Sequence, residues 1–156
     1  MKYKDALILH TIIGGVLQSE NVVGFSPLLL EKLENYFNEL QMDYEDVGST
    51  KIFLLSQCGE EMEDGRILLN DKKSKQKFDE NYGYFMELDV DHEQIYLTEG
   101  EWEEFSTVSG LTQEFLNGCK GLLMEQTEEA PKEERKLDIL LNEDRKTKKP
   151  RSKKSN

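Results

Sequence analysis

Three groups of residues in this chain have types that could do chemistry. The first is Asp89-Val90-Asp91-His92-Glu93, where three carboxylates and an imidazole fall within five residues. Such groups bind hard cations or move protons. The spacing matches no EF-hand loop, which needs a longer ladder ending in Glu. In an extended strand, alternation also puts Asp89 and Asp91 on the face opposite His92, which reads as a solvated turn. The second is Cys58, which closes an apolar run immediately before Gly59. A thiol becomes a nucleophile only where its environment favours the thiolate, and a buried cysteine is inert. These two features, Cys58 and the Asp89–Glu93 turn, are the whole basis for a reading as a small enzyme.

The third group is charge. Residues 84–109 hold eight acids and no Lys or Arg, while residues 145–156 hold seven Lys or Arg and no acid. The chain carries a formal −12, so residues 1–144 carry −19. An acidic surface keeps small proteins apart in solution, and it also steers association with a cationic partner. Glu87, Asp89, Glu101, Glu103 and Glu104 are therefore candidates for a partner-binding face. In the tail, Arg145, Lys146, Lys148, Lys149, Arg151, Lys153 and Lys154 could contact nucleic-acid phosphates, or fold back on the acidic body. With no aromatic side chain among them, such contact would be weak and without sequence preference. Leu137, Leu140 and Leu141, within "LDILL", have the spacing of an apolar helix edge that could dock into a partner's groove.

Other chemistry lacks its residues. There is no Cys-x-x-Cys pair and no Gly-x-Ser-x-Gly elbow, and "GSTK" at 48–51 has phosphate-loop letters in the wrong order. His10 sits in an apolar run and reads as structural. No catalytic residue, metal site or cofactor is assigned. Cys58 and Cys119 are far apart and in no metal-like spacing, which fits free thiols in a reducing cytoplasm. The apolar run from Ala6 to Leu17 is too short to span a bilayer, has no small-x-small cleavage site after it, and reads as a buried helix.

The elements that would position these groups follow from periodicity. Residues 4–18 form a helical face of Ala6, Leu9, Ile13, Val16 and Leu17, with Gly14 and Gly15 either ending it early or admitting a close neighbour. Ser26 and Pro27 are a cap and a first-turn proline for a second helix through Met42. "TKIFLLSQC" (50–58) has the β-branched and aromatic content of a strand, with "RILLN" (66–70) as its partner across Asp64-Gly65. Residues 71–83 are polar enough for a loop or short helix, and 84–98 alternate as a hairpin. Thr98 and Glu101 form a capping box ahead of Trp102, Phe105 and Val108. Leu111, Phe115, Cys119, Leu122 and Leu123 fall on a last helix.

The expected fold is therefore α+β: two N-terminal helices, a small mostly antiparallel sheet of about four strands, two further helices, and a disordered basic C-terminal tail. Residues 1–127 form the acidic domain, and 128–156 a flexible charged tail with a short apolar motif at 137–141. Leu33, Phe37, Leu88, Trp102 and Phe115 are expected in the core. The expected function is a non-enzymatic interaction module whose acidic face binds, and inhibits or regulates, a protein with a basic surface, without membrane contact. A nucleic-acid-associated accessory protein acting through the tail is the alternative.

Residues 1–127 are expected to fold alone, because the regular apolar periodicity lies inside them. Limited proteolysis of the full chain should cut first between Gln126 and Lys136, as read by mass spectrometry. A resistant fragment that retains Leu141 would put the boundary elsewhere.

Overall fold

A computed structural model describes residues 1–126. Within them the chain is mostly helical, with five α-helices and one small antiparallel pair of strands. Helix α1 (Tyr3–Leu17) buries Ala6, Leu9, Ile13 and Val16 of the expected face, leaves Leu17 half-buried and adds Tyr3. It does not stop at Gly14. A Cβ there would lie 2.8 Å from Phe37 Cε2, so the glycine lets α1 sit directly against the Phe37 ring. A 3-10 turn (Glu20–Gly24) then leads to α2 (Pro27–Cys58). The Ser26 side chain caps α2 by accepting from the Leu29 N–H, and Pro27 occupies the first turn.

Helix α2 is 32 residues long and overruns the strand expected at 50–58. The reason is visible in its buried stripe. Leu29, Leu33, Tyr36, Leu40, Asp43 and Val47 recur at alternating spacings of four and three, and half-buried Thr50, Leu54 and Cys58 continue the row. No proline interrupts it, and Gly48 costs a helix only about 1 kcal/mol. Helical burial of that stripe outweighs the β-propensity of Ile52 and Phe53, which point to solvent. The strands that do form are two residues each: β1 (Glu60–Glu61) pairs with β2 (Ile67–Leu68). The turn between them uses Asp64-Gly65 as expected, with Gly65 at φ 81° and the Asp64 carboxylate accepting from the Arg66 N–H.

The hairpin expected at 84–98 is also absent. Helix α3 (Lys72–Met86) is capped by the Asp71 carboxylate, which accepts from the Ser74 N–H, and it runs through Tyr84. Its inward residues Phe78, Tyr82 and Phe85 have helical spacing, and the Phe85 ring stacks on Tyr3 at 4.5 Å. Residues 87–97 then form an extended strap whose partners are distant. The Tyr3 N–H donates to the Leu88 carbonyl, the Val90 N–H to the Met1 carbonyl, and the Leu97 N–H to the Leu123 carbonyl. Alternation at 84–90 therefore reflects the end of a helix followed by a strap, and the four-strand sheet is replaced by one short pair and two isolated bridges.

Helix α4 (Glu99–Val108) opens with the complete Thr98–Glu101 capping box. Helix α5 (Gln113–Leu123) buries Leu116, Cys119 and Leu123. The core gathers these with the α1 and α2 stripes, Phe25 and Phe105. Leu33 is fully buried, and Phe37 and Trp102 pack against the core from its edge. Two expected core residues are not inside: Leu88 is 40% exposed and Phe115 57%. In α5 Cys119 and Leu123 are buried as expected, but at its start Leu116 takes the inward place and Phe115 faces outward. No helix among the described residues is long and apolar enough to cross a membrane.

Leu33→Ala is expected to cost about 2–5 kcal/mol in chemical denaturation, whereas Phe115→Ala should change stability by only about 0.5 kcal/mol. Equal losses at both positions would contradict this α5 register.

Candidate functional site

The five acids singled out from charge do not form a free acidic face. Glu87 accepts a hydrogen bond from Lys4 Nζ at 2.5 Å, and Asp89 lies 3.4 Å from Lys2 Nζ. Both tie the strap to the start of α1. Glu101 closes the capping box and takes Lys32 Nζ of α2 at 2.6 Å. The Lys32 hydrogen bond holds its carboxyl below the ordinary range, against the opposing effect of partial burial and with help from the Thr98 N–H. Glu104 accepts from the Ser26 N–H and from Ser26 Oγ, the latter at 3.1 Å, so α4 grips the residue that caps α2. Only Glu103 stands in solvent with no side-chain partner among the described residues. Sequence acidity identified these carboxylates, but their use as internal clasps depends on cations far along the chain. Leu137, Leu140, Leu141 and the basic residues Arg145, Lys146, Lys148, Lys149, Arg151, Lys153 and Lys154 lie outside the described residues.

The Asp89–Glu93 segment turns inward at His92. Its Nε2 lies 2.6 Å from Asp43 Oδ2, and its Nδ1 lies 3.1 Å from Glu39 Oε2 and 3.0 Å from the Glu93 carbonyl oxygen. Asp43 is only 4% exposed and is the buried carboxylate of the core. Burial works against an imidazolium here. The Asp43 hydrogen bond, the Glu93 carbonyl and the charges of Asp43 and Glu39 outweigh it, and the His92 pKa is raised. The arrangement clamps the strap to the middle of α2. Among the described residues no group of acids, His and Cys has the geometry to hold a metal ion. Asp43 was not a sequence candidate; its place in the four-three apolar row of α2 was the available signal.

Cys58 ends α2, half-buried, and no hydrogen bond to an acid or base activates it among the described residues. It lines a groove of about 450 Å3 between the last turns of α2 and helix α3. Cys119 is buried in α5, where burial pushes its thiol up.

A second groove was not legible in the sequence. Between α1 and α5, Leu7, Ile8, Ile12 and Phe115 border an opening of about 580 Å3, with Glu114 as the one charged lining residue among the described residues. Gly118 forms part of the lining, and a Cβ there would meet no atom within 4 Å. Ile8 and Phe115 are largely exposed and separated in sequence by more than the length of any one element, so only tertiary packing brings them together. Comparison with protein-family models, with curated proteins and with solved structures returned no match.

The His92 clamp has a signed pH dependence. A folded-state pKa raised above the ordinary value of 6.5 means that its stabilisation is fully present below that value and is lost as pH rises through the folded-state pKa. In urea unfolding from about pH 5.5 to 9, wild type should exceed His92→Ala in stability by a margin that narrows with increasing pH. A margin that widens would rule out an imidazolium at this position.

Proposed function

We propose that this protein is a non-enzymatic interaction module that binds, and through binding inhibits or regulates, a partner with a basic surface in a reducing cytoplasm. The observation that carries this reading is the open apolar groove between α1 and α5. Contiguous exposed apolar surface framed by polar residues is typical of sites where proteins meet. The groove can receive an apolar segment of the partner, and Glu114 at its edge can take a cationic side chain from it.

Charge supports the same partner. Residues 1–126 hold 25 acids against ten Lys or Arg, and Glu103 remains available after the neighbouring clasps are made. Such a field speeds encounter with a basic surface, including one that otherwise holds nucleic acid. The contact area itself, rather than the long-range field, would supply most of the affinity, because exposed ion pairs contribute little each.

Gly118→Trp tests the reading, since it fills the open groove without displacing a core residue. A partner captured by the full chain should be retained by residues 1–127, released by Gly118→Trp with its circular dichroism unchanged, and slower to associate at higher salt. Retention by Gly118→Trp together with loss on deleting residues 145–156 would assign binding to the basic tail instead.

A further inference from the structure

The α2–α3 groove has a character opposite to the rest of the surface. Phe53 and Leu54 of α2 face Tyr84, Phe85 and Leu88 across it. Phe53 is 60% exposed and Tyr84 72%, so two large rings stand at its rim. Although residues 1–126 hold 25 acids, no carboxylate among the described residues lines this groove, and Lys77 is the one charged lining residue among them.

The cations of the body are arranged to match. Of the ten Lys and Arg in residues 1–126, Lys2, Lys4, Lys32 and Arg66 are ion-paired. The six others are Lys51, Lys72, Lys73, Lys75, Lys77 and Lys120, and five of these six belong to the last third of α2 or the first half of α3. Lys77 lines the groove, and Lys73 precedes it by one helical turn on the same face of α3. Two cations with no carboxylate partner among the described residues, Lys73 and Lys77, thus stand on the α3 side of this apolar groove.

We propose that the α2–α3 groove binds an acidic amphipathic helix of a partner protein. Its apolar face would lie between Phe53 and Tyr84, and carboxylates along the edge over α3 would meet Lys73 and Lys77. The two rings supply buried area, and the lysines set orientation and exclude basic helices. A single-stranded nucleic acid could stack on the same rings, but the surrounding acidic body repels a polyanion along its length, whereas a short helix presents its charge only at the groove. This site is separate from the α1–α5 groove, and the inference does not rest on the function proposed there.

The test uses the full chain and a fluorescent helical peptide of about four turns, with leucines at positions i, i+3, i+4 and i+7, glutamates only at the positions flanking that face, and alanine or glutamine elsewhere. A second peptide replaces the glutamates with lysines. In the Gly118→Trp chain, whose α1–α5 groove is closed to a basic segment, the acidic peptide should bind, measured by fluorescence anisotropy, and the lysine peptide should bind at least about tenfold more weakly. Phe53→Ala with Tyr84→Ala, and separately Lys73→Glu with Lys77→Glu, should each weaken the acidic peptide at least about tenfold with melting unchanged. Gly118→Trp should leave it unaffected, which separates this site from the first. Equal binding of the two peptides, no binding of either, or wild-type binding by both double variants overturns the proposal. So does an oligothymidylate that binds more tightly than the acidic peptide, or self-association of the chain that Tyr84→Ala abolishes.

Discussion

The structure depends on the need to cover one apolar stripe along the whole of α2. At 32 residues α2 is about 48 Å long, more than one short helix can shield. Helices α1 and α3, of 15 residues each, share the task, α1 along the first half and α3 along the second. They meet near the middle of α2, where the Tyr3 and Phe85 rings stack. The glycine at position 14 sets how closely α1 approaches, because the Phe37 ring fills the space a side chain would need. Tyr36, Leu33 and Leu40 are fully buried under this cover, each worth about 1.5–3 kcal/mol in transfer terms.

A junction between two covering helices leaves a seam, and the strap at residues 87–97 closes it. Its backbone bonds reach both the start of α1 and the end of α5. The buried Asp43 lies beneath this strap and would be costly without a partner; His92 supplies one. Glu87 and Asp89 add exposed clasps to Lys4 and Lys2, whose individual contributions are small. Much of the acidity that drew attention in the sequence is thus spent on holding the chain to itself. The acidity not used in such clasps is the diffuse field of the body and solvent-facing carboxylates such as Glu103.

The same helical geometry leaves two surfaces incompletely covered. Where α5 crosses α1, small residues leave an opening bordered by Ile8 and Phe115. Where α3 lies beside the end of α2, Phe53 and Tyr84 remain at the rim of a second opening. Among the described residues the first is lined by one carboxylate, Glu114, and the second by one ammonium, Lys77.

Local signals determined a definite part of this protein. The α1 face, the Ser26–Pro27 start of α2, the Asp64-Gly65 turn and the Thr98–Glu101 capping box are all legible in the sequence, because each is completed by residues within one turn or one helix face. What sequence reasoning missed has partners far away. Residues 50–58 are helical because α3 covers them, and 87–97 are a strap because Met1, Tyr3 and Leu123 supply their hydrogen bonds. Leu116 rather than Phe115 is buried at the start of α5, which depends on what α5 packs against and not on its own periodicity. Of the candidate binding acids, only tertiary structure decided which are clasps and which face solvent. A carboxylate's type is written at its own position, but its availability depends on whether a cation tens of residues away is folded against it, as Lys4 is against Glu87 and Lys32 against Glu101.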